Sequence, residues 1–297
     1  LRGLYIMRII GIDIGGTLIK LGIFNELGEV EETTTLKTDK IRGAQTIITD
    51  IIDQVTLFGK IDAIGISMPG QLDTEKGTVI QGPVNIPNFT GLEIRNILTE
   101  QFNVPVAIIN DVDAAALGEK HFGKRDHLTD FLFVAYGTGI GGAIVQNGKI
   151  HKGHNGFSGE FGHMITHVGG RTCNCGQSGC YERYASTNVL VREAQRISKQ
   201  YDTGEAIVEA YEQGSNMIQG LVDTWLEEVV AGLVSLIHIF NPSMIVLGGG
   251  IMEQKRVVSE VSRRIHSQIF PSFRDVTVIH STLGNKAGML GAVSLHV

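Results

Sequence analysis

Cysteine is scarce and confined. Three occur in 297 residues, all between positions 173 and 180, which excludes the scattered, even-numbered disulfide framework of a secreted scaffold. Thiols clustered near a histidine point instead to a metal in a reducing compartment, so the cytoplasm is the expected location. Positive charge is not in excess: 25 Lys and Arg against 31 Asp and Glu leave a net charge of −6, and no general attraction to nucleic acid or an anionic membrane follows. Long apolar runs are missing. The longest candidate, 229–240, falls short of the roughly 18–20 residues that span a bilayer and contains His238, so it reads as a buried helix. No apolar core with a cleavage pattern precedes Met7. Met7 leads into a clean strand pattern and is the expected start, with residues 1–6 an extension. There is no low-complexity segment.

Glycine is abundant in particular places. Asp13-Ile-Gly15-Gly16-Thr17 lies between the apolar runs 7–12 and 18–24, and Gly137-Thr138-Gly139-Ile-Gly141-Gly142 lies between 131–136 and 143–145. Both read as strand, tight turn, strand. Glycine lets backbone N–H groups approach a phosphate with no Cβ in the way, and it costs roughly 0.5–1 kcal/mol per residue in ordered structure. Two such hairpins can hold the phosphates of a nucleotide, with Asp13 orienting Mg²⁺ through water. The alternative is a pair of plain hairpins. Gly248-Gly249-Gly250 follows the strand pattern 244–247 and precedes a helix expected at 253–269; it suits either a nucleotide or a simple strand–helix turn.

The rest of the chain alternates strands and helices, which predicts an α/β fold with mixed sheets. Strands are expected at 61–67, ending in Met-Pro69-Gly70, and at 106–109 and 276–280. Helices are expected at 93–102, at 113–122 with Asp111 or Asp113 as cap, across 188–240 with a break near Gly214, and at 286–295. Gly123–His127 marks the switch between two domains of roughly 100–200 residues each. Residues 153–182 are glycine-rich and lack periodic apolar positions, so something other than a core must pin them.

His163 with Cys173, Cys175 and Cys180 supplies that pin. Three thiolates and an imidazole make a closed tetrahedral Zn²⁺ site, structural because no position is left open. Gly176 and Gly179 let the chain turn between the second and third cysteines. His151, His154 and His167 are competing imidazoles that read better as solvated loop residues. With zinc in place, Glu160 and Glu182 are held near one point, where converging carboxylates suit a polyol; without it they are surface glutamates. Asn110-Asp111 at a strand end reads either as substrate anchor and general base or as a helix cap.

Taken in order, Asp13-Ile-Gly-Gly-Thr17, Asn110-Asp111, Gly137–Gly142, Gly159-Glu-Phe-Gly-His163, Cys173-x-Cys-Gly-x-x-Gly-Cys180-x-Glu182 and Gly248–Gly250 resemble the ROK family (repressors, open reading frames and sugar kinases), over nearly the whole chain from Met7. The resemblance implies a two-lobed actin-like ATPase (ribonuclease H-like) fold with a structural zinc loop. A smaller lobe of 7–122 plus 286–297 and a larger one of 123–285 are expected, closing over the substrate. It further implies an ATP-dependent kinase acting at the 6-hydroxyl of a hexose, with ATP, Mg²⁺ and Zn²⁺ as cofactors and a homodimer as the assembly. Asp111 resembles the family's catalytic base. Gly70, Asn85, Asn110, Glu160, His163 and Glu182 resemble its sugar ligands, Asn85 and Asn88 lying where members vary those contacts. Asp13, Gly15, Gly16, Thr17, Lys20, Gly137, Thr138, Gly139, Gly141 and Gly248–Gly250 resemble its nucleotide side. His163 would turn one ring nitrogen to zinc and the other to the sugar. Asp113 departs from the family, where many members carry Asn. The family's repressors add an N-terminal helix-turn-helix domain; no basic recognition helix precedes the first strand here, so a DNA-binding role is not expected. Among family substrates (glucose, N-acetylmannosamine, N-acetylglucosamine, fructose, allose, β-glucosides) the zinc loop with its two glutamates fits glucose and N-acetylhexosamines better than fructose.

Overall fold

The computed structural model describes residues 6–83, 86–123 and 128–297. The chain forms two compact units: Leu1–Leu128 with Lys152–Phe157 and Asn285–Val297, and Thr129–His151 with Ser158–Gly284. Segment 152–157, expected in the C-terminal lobe, belongs to the first unit. Lys152 Nζ is 2.7 Å from Thr74 Oγ1 there and donates to it.

In unit 1, β1 (Ile9–Ile14) and β2 (Leu18–Phe24) form the first hairpin. It continues through β3 (Val30–Lys37), α1 (Ala44–Leu57), β4 (Ala63–Met68), the small hairpin β5 (Gln71–Asp73) and β6 (Thr78–Gln81), α2 (Ile94–Phe102), β7 (Val106–Asn110) and α3 (Asp111–Phe122). The sheet order is β3-β2-β1-β4-β7, antiparallel through the hairpin and parallel from β1 to β4 and β7. Unit 2 repeats the plan with β8 (Phe131–Tyr136), β9 (Ile140–Gln146), β10 (Lys149–Ile150), α4 (Glu182–Ala185), α5 (Thr187–Ile197), α6 (Gly204–Glu212), α7 (Asn216–Phe240), β11 (Met244–Gly248), α8 (Lys255–Gln268) and β12 (Thr277–His280). Its order, β10-β9-β8-β11-β12, carries the same pattern of parallel and antiparallel pairs. The internal repeat is therefore a whole five-stranded sheet, not the hairpin alone. The final helix, α9 (Ala287–Val293), returns to unit 1.

Side chains alternate across a strand, and β1 and β4 use both faces. Ile10, Ile12, Ile14, Ile64 and Ile66 join the core that also holds Ile47, Ile48, Ile51 and Val55 of α1. All six residues of β4 are buried, as a central parallel strand covered on both sides must be. The opposite face is covered by α9 at unusually short range. A Cβ on Gly65 would fall on the backbone of Ala292, and one on Gly291 would coincide with the Ala114 carbonyl of α3. Glycine at those two positions lets sheet, α9 and α3 meet backbone to backbone. His296 closes the end of the chain by hydrogen bonding through Nε2 to the Ile64 carbonyl at 2.9 Å.

Several expected boundaries shift. The stretch 188–240 is three helices, broken at 198–203 as well as 213–215, with Ser186, Thr203 and Ser215 at the three N-cap positions. The helix expected from Glu253 starts at Lys255, after a 3-10 turn over Gly250–Glu253, and α9 is likewise flanked by 3-10 turns. β9 begins at Ile140, so Gly141 and Gly142 lie inside a strand and not in the turn. The ring of Phe161 fills the space a Cβ on Gly142 would need.

Two alanine substitutions separate necessary from incidental glycine. Gly291→Ala is expected to cost about 3 kcal/mol by overpacking. Gly220→Ala, in α7 with nothing within 4 Å of its Cβ position, should gain about 0.5–1 kcal/mol from helix propensity. Urea unfolding of both variants measures this, and a Gly291→Ala protein as stable as the parent would show that α9 shifts away without cost.

Candidate functional site

In unit 1, β7 ends at Asn110 and α3 begins at Asp111. Asn110 keeps an extended backbone (φ −62, ψ 148) and its Oδ1 accepts from the N–H groups of Val112 at 2.9 Å and Asp113 at 3.3 Å. The cap is thus Asn110, not Asp111 or Asp113, because a cap residue must be non-helical and those two are already in the helix. Asn110 Nδ2 donates to the Gly70 carbonyl at 3.3 Å. Gly70 holds φ +106, and a Cβ there would strike the Gln81 carbonyl, so the loop after β4 reaches Asn110 only with glycine at that place. Asn88 is exposed with φ 59; Asn85 lies outside the described residues.

With Asn110 committed to the cap, Asp111 is left for other work. Its Oδ1 accepts from Val112 N–H at 3.0 Å. Burial pushes its carboxyl up to about 6, and the negative charge of Asp13 adds to the rise, against the opposing pull of backbone N–H groups and Asn110. Asp13 stands near the end of β1 and is raised by burial too, with Lys20 and Ser67 working the other way. Lys20 faces it across the hairpin, Nζ to Oδ2 3.6 Å, and Ser67 Oγ donates to Oδ1 at 3.1 Å. The turn beside it is closed by Gly15 N–H to Leu18 O, 2.9 Å, and braced by Thr38, which donates from N–H to Thr17 O at 2.9 Å and from Oγ1 to Gly15 O at 2.7 Å. Ser67 and Thr38 were not singled out from the sequence; only strand register places them here.

The second hairpin has its own brace. Gly137 N–H donates to Gly139 O at 3.0 Å, Asn188 N–H to Gly137 O at 3.1 Å and Thr187 Oγ1 to Tyr136 O at 2.9 Å. The tips of the two hairpins, Gly16 and Gly137, share a property. Neither has a positive φ, and neither has an atom within 4 Å of its Cβ position, so packing and backbone conformation give no reason for glycine at either. Gly248 and Gly249 differ. The Phe133 ring and the Tyr136 carbonyl occupy their Cβ positions, and Gly249 has φ +97; close packing of β11 on β8 accounts for both. Gly250 keeps open surroundings, with Glu205 Oε1 at 3.6 Å from its Cβ position.

In the loop 158–182, ligand atoms of His163, Cys173, Cys175 and Cys180 all lie within 4.8 Å of one another. Cys175 and Cys180 sulfurs are 3.5 Å apart, and His163 Nδ1 is 3.8 Å from Cys173 Sγ. Tetrahedral zinc with Zn–S near 2.3 Å has ligand–ligand edges of about 3.8 Å, so the donor set fits that ion. Gly176 and Gly179, at φ +91 and +89, make the turns between ligands. His163 gives Nδ1 to the cluster and leaves Nε2 toward Glu160, 3.8 Å away. Cys173 Sγ donates to Glu182 Oε1 at 3.2 Å, and the other oxygen of Glu182 lies against Gly139. Glu182 therefore bridges the sulfur cluster and the second glycine turn. Beneath it, the fully buried Tyr181 shares a 2.8 Å hydrogen bond with Tyr136 and donates to Val229 O at 2.7 Å. His167 stacks on Tyr184 at 3.8 Å and pairs with Glu228; with the exposed His151 and His154 it stays out of the cluster.

The ROK family model matches residues 9–297. A glucokinase of Streptomyces coelicolor is 32% identical over 96% of both chains. A Listeria monocytogenes protein proposed to be an N-acetylmannosamine kinase superposes with a TM-score of 0.87 at 29% identity, over 98% of this chain and 99% of that one. The ROK glucokinase of Streptomyces griseus, crystallised with glucose and AMPPNP, superposes with a TM-score of 0.83 at 31% identity, over the same shares. The architecture is that of the actin-like ATPases, which these ROK structures share.

Metal analysis of protein prepared under reducing conditions with zinc supplied is expected to give about one zinc per chain. Cys175→Ser should lower that occupancy sharply, and stripping the metal with a strong chelator should lower Tm, since structural zinc contributes directly to folding. Absence of zinc from the unaltered chain would remove the metal role of all four residues.

Proposed function

Because this chain belongs to the ROK family, we propose that it is an ATP-dependent hexose kinase that phosphorylates the 6-hydroxyl of glucose. The observation that carries the reading is Asp111, a carboxyl at the first turn of α3 pushed up to about 6 by burial and by Asp13. That is the range in which a general base is effective near neutral pH. Asp111 takes the proton of the attacking hydroxyl. Transfer of a phosphoryl group proceeds through a loose transition state, so the remaining work is alignment and charge neutralisation.

The glycine tips at Gly16 and Gly137 suit backbone approach to phosphate, with Gly15, Thr17, Thr138 and Gly139 beside them and Lys20 and Gly250 on the nucleotide side. Gly141, Gly248 and Gly249 drop to a supporting part, since packing accounts for them or removes them from the turn. A single carboxylate next to a glycine tip fits a Mg²⁺ that keeps most of its waters; Asp13 would hold it, and the ion would neutralise charge on the phosphates. Gly70, Asn85, Asn110, Glu160, Glu182 and His163 would be the sugar ligands, His163 through the Nε2 that faces Glu160. Zinc held by His163 and the three cysteines would fix the imidazole without entering the chemistry. A homodimer in the cytoplasm is the setting this reading carries with it.

N-acetylmannosamine is the second substrate reading, favoured by the fold likeness to the Listeria protein. ADP release with Mg²⁺ and ATP, measured across glucose, N-acetylmannosamine, N-acetylglucosamine, fructose, allose and a β-glucoside, separates the two. Turnover is expected with glucose, and Asp111→Asn should lower it about 10²–10⁴-fold. The base works ionised, so the rate should fall as pH drops through about 6, where the carboxyl takes up its proton. A profile flat down to pH 5, or full activity in Asp111→Asn, would rule out Asp111 as the base.

A further inference from the structure

The carboxylate of Asp13 is met from three sides by neighbouring elements. Asp13 and Ser67 are register partners in the parallel pair β1–β4, and both point away from the isoleucine core toward α9. Ser67 is fully buried and spends its hydroxyl proton on Asp13 Oδ1 at 3.1 Å. Lys20 sits 3.6 Å from Oδ2, and its ammonium is itself placed by a 3.4 Å hydrogen bond to the Asn285 carbonyl, just before α9. From the third side α9 presents Gly288, whose Cβ position lies 2.7 Å from both Cγ and Oδ1 of Asp13. The charged groups facing Asp13 are Lys20 from β2 and Asp111 from α3; β4 and α9 offer it only the uncharged Ser67 and Gly288.

We propose that Ser67 and Gly288 are positioning residues, which hold the Asp13 carboxylate in the one orientation that serves the phosphate end of the nucleotide. Ser67 does so by donating to Oδ1, and Gly288 by leaving the space the carboxylate occupies. The inference rests on the nucleotide reading of the first hairpin given above. It adds two residues that touch no substrate, one on the central parallel strand and one on the last helix.

Calorimetric titration with AMPPNP and Mg²⁺ tests it, with glucose binding and Tm as controls. Ser67→Ala should weaken AMPPNP about tenfold, the scale of one lost hydrogen bond to a charged group. Gly288→Ala should do the same by a different route, displacing the carboxylate while keeping the hydroxyl. Alanine is the better helix former, so propensity alone would leave Tm unchanged or higher. Glucose affinity should stay within about twofold in both. In an Asp13→Ala background both effects should vanish, because a double-mutant cycle removes whatever acts through Asp13. Unchanged AMPPNP affinity in both variants, or equal losses with and without Asp13, would overturn the positioning role and leave the kinase reading standing. If the unaltered chain binds no AMPPNP, the nucleotide reading falls and takes this inference with it.

Discussion

Backbone contact between α9 and the sheet of unit 1 is the constraint on which the rest of that unit depends. Helices normally stand off a sheet by the thickness of their side chains. Here Gly65 and Gly291 remove that layer, so α9 lies directly on β4 while also touching α3. The consequence is chemical as well as mechanical. A polar pair, Asp13 and Ser67, occupies the sheet face that α9 covers, and the helix that begins with Asp111 is anchored against the same α9. The Asp111 carboxyl at the start of that helix is raised by burial and by the neighbouring charge of Asp13.

Unit 2 reaches a comparable precision by other means. Its sheet has the same strand order, and a dense core gathers around α7. The loop that carries Glu160 and Glu182 contributes little apolar surface of its own. The side chains of His163, Cys173, Cys175 and Cys180 converge there instead, and Tyr181, buried between Cys180 and Glu182, ties the loop to Tyr136 of β8 and to α7. Glu182 lies between a sulfur of the cluster and the second glycine turn.

Much of this was legible in the sequence. Both hairpins, the clustering of His163 with the three cysteines and the family could be read because each is a local pattern: glycine beside apolar runs, or thiols at fixed spacing. What was not legible depends on register. Ser67 and Thr38 are ordinary hydroxyls in sequence, and only pairing of β4 with β1 and closure of the turn bring them to Asp13 and Gly15. The strand β3 escaped notice because its residues, Glu-Glu-Thr-Thr-Thr among them, are mostly exposed and lack the apolar alternation of a buried strand. Gly141 and Gly142 resembled turn residues by composition, yet β9 absorbs them. The ring of Phe161 takes the space that a side chain on Gly142 would need, which no spacing rule anticipates. Asn110 rather than an aspartate caps α3 because the cap is decided by where the strand's extended backbone ends, one residue before Asp111.

The return of α9 to unit 1 also sets an order of assembly. Residues 285–297 are synthesised after all of unit 2, yet they cover the face of β1 and β4, strands made more than two hundred residues earlier. Until they arrive, Gly65 and the polar pair beside it face water, and the sheet of unit 1 lacks one of its two covering layers. Unit 2 needs no such late partner. Its nearly contiguous stretch can reach its native contacts first, with unit 1 waiting on a closure of very high sequence separation, the kind of contact that slows folding most. Ordering of the Asp13 and Asp111 carboxyls is then among the last events in the maturation of the chain, so a molecule stalled before that closure would hold a finished cysteine loop in unit 2 beside two unplaced carboxyls in unit 1.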